Sequence, residues 1–594
     1  MKASDYIADL VSEMGIRHVF MVTGGGAMHL NHSFGVHQNI ECIFNHHEQA
    51  CAMAAESYYR LTNKIALVNV TSGPGGTNAI TGVYGAFVDF IGMVVISGQV
   101  KYETTVRSTG LDLRQYGDQE LDIERLVSPI TKYATMITDS NMIKYHIERA
   151  FYEATSGRPG PCWIDIPLDI QGMDIDIDKQ VSFFKPKFIE LLNNKNLEQK
   201  CIEILDKISK AKRPIIFAGS GVRLSNSHNE FLKVVDRLEV PVVTGWNAHD
   251  VIHDTHPLYV GRPGTVGDRA GNFAVQNADL VLILGSRLNI RQTSYNWKAF
   301  APKAFKIWID IDKIEMQKPS VKAEMCIEAD LSNALPLLLS SPYKVSGNKH
   351  NEWLIWCLER RKRYLVISDK NSKNGKINPY KFMDTLFSQL KRGQIVTSAN
   401  GSACVMSFQV AKIKEGQRFW TNSGCASMGY DLPSAIGACI GSDRSEIVCL
   451  AGDGSIMMNI QELQTISTFN LPIKIFIINN DGYLSIAQTH KAFFNGIEVG
   501  SGPSSGVQTP DFSKIATAFG LQYLNIKFSD ELPIKIERAL SAQGPLVCEV
   551  FVDSDQEFSP KLSAKKLDNG EIVSPSLEDM SPFLSRNDLA NNII

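Results

Sequence analysis

Two stretches of sequence decide the fold: EIVCLAGDGS at residues 446–455 and KIFIINNDGY at residues 474–483. Each contains a short, continuous apolar run followed by Gly, Asp or Asn, which is typical of a buried parallel strand that ends in a turn. The carboxyl ends of such strands meet at one edge of the sheet, where open α/β sheets bind ligands. The sequence therefore predicts an α/β fold with a binding site at these two strand ends.

The same alternation of apolar runs and amphipathic stretches recurs outward along the chain. It predicts three open parallel-sheet domains, at residues 1–172, 196–340 and 376–555. Residues 173–188 carry no clear period and are interpreted as a linker, and KNSKNG (370–375) as a second boundary. Residues 556–594 hold too few apolar side chains for a core, so we expect a C-terminal arm over the surface.

Composition narrows the class of function. The 594 residues carry a net charge of -3, so a basic field for nucleic acid or an anionic membrane is not supported. No apolar run approaches the roughly 18 residues that a membrane span needs, and the polar start MKASDYIADL does not resemble a signal peptide. The 11 Cys form no CxxC pair, which favours core side chains in a reducing compartment. We therefore expect a cytoplasmic, multidomain enzyme.

The two strand ends carry residues suited to a diphosphate and a metal ion. Asp453 and Asn480 offer hard oxygen ligands of the kind that Mg²⁺ prefers. Gly454 would allow a phosphate to approach the backbone, and SIMMNIQELQTI (455–466) would begin a helix whose N-terminus favours anions. The alternative is two ordinary turns, since Gly, Asp and Asn are turn residues. The pairing of GDG with NN, each at a predicted strand end, favours the diphosphate–metal site.

This pairing resembles the signature of the thiamin diphosphate (ThDP) enzymes, and within them the acetolactate synthase / pyruvate oxidase / pyruvate decarboxylase group. The resemblance covers about residues 1–555 and implies a pyrimidine-binding, a middle and a diphosphate-binding domain, in that order. It implies ThDP and Mg²⁺ as cofactors, with Asp453, Asn480 and the Gly482 carbonyl holding the metal. It also implies self-association as a dimer or tetramer.

The resemblance assigns further residues to the cofactor. Glu48, in NHHEQA (45–50), would hydrogen-bond N1′ of the aminopyrimidine, whereas the alternative is a carboxylate favoured by a helix N-terminus. Met428 would support the bent cofactor, and its alternative is a core methionine. Gln119 would face the substrate, and Gly25 completes the implied catalytic set. The other implied ThDP contacts are Gly24, Pro74, Asn78, Asn400, Gly401, Ser402, Ala426, Gly452, Gly454, Ser455, Tyr483 and Leu484.

The middle domain suggests a nucleotide. Leu224 stands where a dinucleotide fingerprint beginning at Gly219 would have its third Gly, so NAD has little support. The resemblance implies FAD without a net redox role, although some relatives bind ADP or nothing. The His-bearing run 246–256 is interpreted as a polar loop rather than a metal site. The implied FAD contacts are Gly219, Ser220, Gly221, Thr244, Gly264, Gly267, Gly285, Ser286, Arg287, Asn289, Asp310, Ile311 and Asp330.

The resemblance implies decarboxylation of pyruvate and transfer of its two-carbon unit to a carbonyl acceptor. Asp118 and Thr489 stand where acetolactate synthase carries Phe and Trp, which predicts a more open and polar acceptor pocket. The lead hypothesis is therefore a nucleotide-linked keto-deoxysugar, such as a CDP-keto-sugar, because the pattern resembles nucleotide-sugar carboligases like that of the yersiniose pathway. The alternatives are acetolactate synthase, with pyruvate or 2-ketobutyrate as acceptor, and a non-catalytic protein of the same fold.

Overall fold

The computed structural model describes residues 1–186, 194–343, 347–367, 376–566 and 569–594. Within these ranges it contains three six-stranded sheets, all parallel, and a two-stranded hairpin. The prediction of an α/β protein with three open parallel-sheet domains is confirmed. The predicted boundary at residues 370–375 and the last two residues of the predicted linker lie outside the described residues. No helix in these ranges is both long and apolar enough to cross a bilayer.

The first sheet holds the N-terminal part of the chain. Its strands are β1 (His18–Met21), β2 (Glu41–Phe44), β3 (Leu67–Val70), β4 (Met93–Gln99), β5 (Tyr133–Met136) and β6 (Pro161–Pro167). Their order across the sheet is β2-β1-β3-β4-β6-β5. The helices are α1 (Ala3–Glu13), α2 (Met28–Val36), α3 (Glu48–Thr62), α4 (Pro74–Asp89), α5 (Val106–Thr109), α6 (Ile123–Val127), α7 (Ile143–Thr155) and α8 (Leu168–Gly172).

The second sheet has a different strand order. Its strands are β7 (Pro214–Ala218), β8 (Val242–Thr244), β9 (Tyr259–Gly261), β10 (Leu280–Leu284), β11 (Phe305–Asp310) and β12 (Met325–Glu328). They are ordered β12-β11-β10-β7-β8-β9, the arrangement of dinucleotide-binding folds, and the order reverses between β7 and β10. The helices are α9 (Asn194–Lys210), α10 (Gly221–Leu224), α11 (His228–Leu238), α12 (Arg269–Asn277), α13 (Ile290–Thr293), α14 (Leu331–Ser340) and α15 (Asn351–Arg363).

The third sheet repeats the order of the first. Its strands are β13 (Ile395–Ser398), β14 (Arg418–Trp420), β15 (Ile447–Gly452), β16 (Ile473–Asn479), β17 (Gln522–Ile526) and β18 (Leu546–Phe551). They are ordered β14-β13-β15-β16-β18-β17, so the order reverses between β13 and β15. The helices are α16 (Pro379–Gln389), α17 (Ser402–Val410), α18 (Asp431–Gly441), α19 (Glu462–Thr468), α20 (Leu484–Phe493), α21 (Phe512–Ala518) and α22 (Leu532–Ser541).

Helices α3 and α18 join the first and third domains. Ser57 donates its hydroxyl proton to the Ser434 carbonyl, at 2.6 Å. A Cβ on Gly437 would lie 1.9 Å from the Ala54 carbonyl oxygen, so only glycine allows the two helices to approach this closely. The contact buries much of α3, including its polar residues Glu56 and Ser57.

The C-terminal arm lies against the middle domain. It contains the hairpin β19 (Lys565–Lys566) and β20 (Ile572–Val573) and the helix α23 (Arg586–Ala590). Leu577 and Met580 are buried, and Asn272 of α12 donates a hydrogen bond to the Leu577 carbonyl (2.8 Å). Arg269 of the same helix donates to the Met580 carbonyl (3.2 Å). The arm is therefore held by backbone carbonyl groups and two apolar anchors rather than by a core of its own.

Candidate active site

The strand order of the third sheet gathers the predicted diphosphate residues. β13 and β15 are neighbours at the point where the order reverses, and open sheets bind ligands at such points. Asn400, Gly401 and Ser402 follow β13, and Asp453 follows β15. β16 pairs with β15 and is followed by Asn480. The three strand ends thus form one edge.

Asp453 is a buried carboxylate without a cation beside it. It is 1% exposed, and its two oxygens accept the N–H groups of Gly454 and Gly482, each at 2.9 Å. Burial raises the pKa of Asp453 to about 7. No Lys, Arg or His among the described residues forms an ion pair with it. Because a buried carboxylate without a counter-charge is costly, its surroundings fit a bound cation.

Asn480 offers a second ligand beside it. Its Nδ2 donates to the Ser402 hydroxyl at 2.8 Å, whereas its buried Oδ1 has no hydrogen-bond partner among the described residues. Gly482 adopts a φ of 129°, and a Cβ there would lie 2.3 Å from the Ser501 carbonyl oxygen, so the turn requires glycine. A carboxylate, an amide oxygen and a backbone turn fit Mg²⁺ with its remaining positions left for phosphate and water.

The backbone after Asp453 departs from the prediction. A Cβ on Gly454 would lie 2.4 Å from the Tyr483 ring, as expected for a position that needs glycine. The helix predicted over residues 455–466 is wrong: a single 3₁₀ turn, Ile456–Met458, precedes α19, which begins at Glu462. The cause is tertiary, because Asn459 Nδ2 donates to the Gly429 carbonyl (2.8 Å) and to Gln49 (2.9 Å).

The helix N-terminus at this edge is therefore that of α17. It begins at Ser402, directly after Gly401, which has a φ of 71°. Ser455, predicted to begin a helix, instead donates its hydroxyl proton to Asp431 (2.7 Å) and accepts the Gly429 N–H (2.9 Å). The sequence contains the signal for α17, a Gly followed by an apolar stretch, but it does not show that this helix meets Asn480.

The loop 421–430 lies beside the same edge. Asn400 Nδ2 donates to Asn422 (2.8 Å) and to the Ser427 carbonyl (2.8 Å). Ala426 has a φ of 55°, which turns the chain just before Met428. Met428 is 40% exposed, so it is not a core methionine. Its predicted contact with the cofactor stays a prediction.

Glu48 lies at the carboxyl edge of the first sheet. It is the first residue of α3, is 8% exposed, and accepts a hydrogen bond from Asn78 Nδ2 at 3.0 Å. A Cβ on Gly75 would lie 3.6 Å from Glu48 Oε1, and one on Gly24 would lie 2.5 Å from Thr71 Cβ, so both backbones come close to their neighbours. Of the predicted residues, the structure thus brings Gly24, Pro74 and Asn78 to this edge with Glu48, while Gly25 is exposed.

Gln119 lies at this edge too, with an unusual backbone. Its φ is 60°, and a Cβ on Gly73 would lie 2.6 Å from the Gln119 carbonyl oxygen. Asp118 is exposed beside it. Thr489 is exposed on α20 and donates its hydroxyl proton to the Ser485 carbonyl at 3.0 Å. Within the described chain, no hydrogen bond joins Asp118 to Thr489, and their predicted contact with the substrate stays a prediction.

A second crevice opens where the order of the middle sheet reverses. It is a partly open cavity at the carboxyl ends of β7 and β10. Thr244, Gly264 and Gly267 are not among its lining residues. The predicted nucleotide residues that line it are Gly219, Ser220, Gly221, Gly285, Ser286, Arg287, Asn289, Asp310, Ile311 and Asp330.

The cavity presents polar atoms without partners. Asn289 Oδ1 and Trp246 Nε1 belong to residues that line the cavity, and both atoms are buried with no hydrogen-bond partner among the described residues. Buried polar groups are normally satisfied, so these atoms fit a large polar ligand such as a nucleotide.

A buried charge cluster connects this cavity to the third domain. Arg60 bonds Asp89 at 2.7 Å and Glu56 at 2.5 Å, and Tyr430, just before α18, donates to Glu56. Arg287 of the middle domain lies 3.4 Å from Asp89. The Gly424 N–H also reaches Asp89, at 3.3 Å. We define the charge cluster as Glu56, Arg60, Asp89, Arg287 and Tyr430.

Comparison with known proteins gives consistent matches along the chain. Family models for thiamine pyrophosphate enzymes match three segments: the N-terminal TPP binding domain at residues 1–126, the central domain at 202–338 and the C-terminal TPP binding domain at 399–550. The acetolactate synthase large subunit of Buchnera aphidicola subsp. Schizaphis graminum is 31% identical over 93% of this chain and 95% of its own.

Two further relatives agree with this match. The acetolactate synthase large subunit of Cyanidium caldarium is 30% identical over 94% of both chains. The probable acetolactate synthase large subunit of Methanocaldococcus jannaschii is 30% identical over 97% of this chain and 95% of its own.

Proposed function

We propose a function from one premise: the chain belongs to the thiamine pyrophosphate enzyme family and is similar over almost its whole length to acetolactate synthase large subunits. We infer that it decarboxylates pyruvate and joins the resulting two-carbon unit to a second 2-keto acid. The observation that supports this best is the buried Asp453 carboxylate beside the unpartnered Asn480 Oδ1, at the point where the third sheet reverses its order.

Residues of the third domain would bind the metal and diphosphate, and residues of the first domain would transfer a proton. Asp453, Asn480 and the Gly482 carbonyl would hold Mg²⁺, and the N-terminus of α17 would face the diphosphate. Glu48 would hold and return a proton at N1′ of the pyrimidine, with Asn78 fixing the orientation of its carboxylate. When bound, ThDP supplies the electron sink that allows a 2-keto acid to lose CO₂.

We propose FAD for the cavity of the middle domain. Its position at the carboxyl ends of β7 and β10 and its unpartnered Asn289 and Trp246 atoms support a dinucleotide there. The flavin would have no net redox role in carboligation. ADP is the competing occupant, because it would use the same phosphate and ribose contacts.

We also propose that two copies of the chain complete the site. The hydrogen-bond partner of Glu48 among the described residues is Asn78 of its own domain, and Asp453 lies in the third domain. Met428, which would contact the cofactor, is partly exposed on a single chain. A dimer or tetramer would bring the first domain of one copy to the third domain of another.

Two classes of molecule are candidates for the acceptor: a 2-keto acid and a nucleotide-linked keto-sugar. The relatives favour a 2-keto acid, as in acetolactate formation. The keto-sugar acceptor depends on Asp118 and Thr489, and the Thr489 hydroxyl, which donates its proton to the Ser485 carbonyl, keeps only its acceptor lone pairs for a sugar hydroxyl. We therefore place the 2-keto acid first.

A competition experiment tests this function. The chain, loaded with ThDP, Mg²⁺ and FAD, is given pyruvate alone, pyruvate with equimolar 2-ketobutyrate, or pyruvate with an equimolar CDP-linked keto-deoxysugar. CO₂ release and products are followed by mass spectrometry. We expect CO₂ and acetolactate-type products in all three mixtures, with the sugar unchanged. A sugar product formed faster than acetolactate would overturn the acceptor assignment, and no CO₂ in any mixture would overturn the decarboxylation.

A further inference from the structure

Glu120 is a buried carboxylate directly after Gln119. It is 8% exposed and has no cationic partner among the described residues. Its oxygens instead accept backbone N–H groups from Val106, from Tyr116 (2.9 Å) and from Gly117 (3.2 Å). One side chain therefore ties together two separate parts of the segment 104–121.

The same segment is held at its other end. Gln99, at the end of β4, donates through Nε2 to the Leu121 carbonyl at 2.7 Å. Its Nε2 also donates to the buried Asp165 of β6, at 2.9 Å. Gln115 donates to the Glu120 carbonyl at 3.2 Å. The segment is thus fixed to the sheet although most of residues 111–119 are exposed.

Gln119 needs such support. Its φ of 60° is uncommon for a residue with a Cβ, so the surrounding contacts must hold it. Its carbonyl rests on Gly73, and two residues later Gly75 lies against Glu48 Oε1. The turn 73–75 therefore faces the Gln119 backbone at one glycine and the Glu48 carboxylate at another, so both residues flank the same turn.

We propose that Glu120 is a positioning residue that fixes Gln119 next to the substrate by gathering these three amides. The proposal rests on the proposed function, because Gln119 is taken to face the 2-keto acid. A carboxylate is suited to the task because it has only acceptors to offer, whereas an amide would place an NH₂ group against at least one N–H donor. Glu120 acts on the reaction only through the position of Gln119.

The test uses Glu120→Gln in the full-length holoenzyme. We expect the Val106, Tyr116 and Gly117 amides to exchange hydrogen at least about tenfold faster, as read by hydrogen-exchange mass spectrometry. We expect kcat/KM for pyruvate to fall about 10- to 100-fold, because misplacement by about 1 Å can have that effect on a reaction. Exchange of the C2 proton of bound ThDP, measured by NMR without pyruvate, should stay within about twofold of wild type, since it does not involve Gln119.

Two further variants separate positioning from general stability. Asp279→Asn changes a carboxylate that accepts the Lys212 and Arg213 N–H groups, both at 2.8 Å, just before β10 and so at the sheet edge opposite the cavity. Asp279→Asn should lower Tm about as much as Glu120→Gln does, and it should leave kcat/KM for pyruvate unchanged. Glu120→Asp keeps the charge and should recover much of the lost kcat/KM.

The outcomes are distinct. A Glu120→Gln variant with faster amide exchange but wild-type kcat/KM would overturn the positioning role. An equal loss of C2-proton exchange would show that Glu120 supports the cofactor site or the fold instead. Unchanged amide exchange in Glu120→Gln would show that the Glu120 carboxylate does not hold these amides in place. A wild-type chain that binds ThDP and exchanges its C2 proton, yet releases no CO₂ from pyruvate, would overturn the proposed function and this role with it.

Discussion

The third sheet and the middle sheet both reverse their strand order, yet they open two different crevices. Between β13 and β15 the chain presents a buried acid, an unpartnered amide oxygen and tight glycine turns. Between β7 and β10 it presents a partly open cavity whose lining includes Arg287. The strand order decides where a ligand can enter, whereas the side chains after each strand decide which ligand it is.

The first sheet sharpens this comparison, because it has the same strand order as the third. Its edge carries Glu48 on a helix rather than an acid directly after a strand. An acid at that position is suited to proton transfer with a ring nitrogen, while an acid within a glycine turn is suited to a metal ion. Two sheets of one topology thus contribute different halves of the proposed chemistry.

The largest effect should come from Asp453→Ala. Removing the buried anionic ligand should weaken Mg²⁺-dependent binding of ThDP at least about 100-fold, because Mg²⁺ has few other protein ligands here. FAD binding in the other crevice should not change. Isothermal titration calorimetry with each cofactor measures both. Asp481→Asn is the matched control, an exposed acid between two of the proposed ligands, and should keep ThDP affinity. Unchanged ThDP affinity in Asp453→Ala would mean that this crevice does not hold the metal.

Glu48→Gln should separate binding from proton transfer. We expect ThDP affinity close to wild type and C2-proton exchange about 100-fold slower, because the amide cannot exchange a proton with N1′ as a carboxyl group does. NMR of bound ThDP gives the exchange rate, and wild-type exchange would refute the role.

Mixing Glu48→Gln chains with Asp453→Ala chains should restore part of the activity through hybrid sites. An active monomer in sedimentation would contradict the two-chain site.

The smallest effect should come from Asn289→Ala in the middle-domain cavity. Its Oδ1 is buried and unpartnered, so a bound nucleotide should satisfy it, and its loss should weaken FAD about tenfold. Quenching of flavin fluorescence measures this, and ADP titrated in parallel identifies the preferred occupant. ThDP affinity should not respond. If Asn289→Ala weakened ThDP and left FAD unchanged, the two crevices would have been assigned the wrong way round.

The central strands could be predicted from the sequence because of how they are buried. LVLILG and EIVCLAG are continuous apolar runs, and β10 is buried at every residue and β15 at all but its last. The short edge strands β9 and β14 could not, since three residues carry no recognisable period. β17 begins with the exposed Gln522, as edge strands often do, and its five residues do not alternate between buried and exposed side chains, so it too gave no clear strand pattern.

The site could be predicted where candidate metal ligands directly follow a predicted strand. Asp453 and Asn480 stand directly after apolar runs, so their meeting at one edge follows from parallel pairing. The helix predicted after Gly454 does not form, because the Asn459 side chain donates hydrogen bonds to Gly429 and Gln49, which are distant in sequence. The position of Glu120 could not be predicted from the sequence, because its hydrogen-bond partners are backbone amides, which every residue type except proline provides.

The charge cluster has a consequence for how the molecule denatures. The Arg287–Asp89 pair joins the middle domain to the first, and the Tyr430–Glu56 hydrogen bond joins the third domain to the first, whereas the bonds of Arg60 to Glu56 and Asp89 stay within the first domain. Separating the domains would therefore break one ion pair and one hydrogen bond, while Glu56 and Asp89 would keep Arg60 as their counter-charge. Because the first and third domains also share the closely packed α3–α18 interface, we expect these two domains to melt together rather than as separable modules.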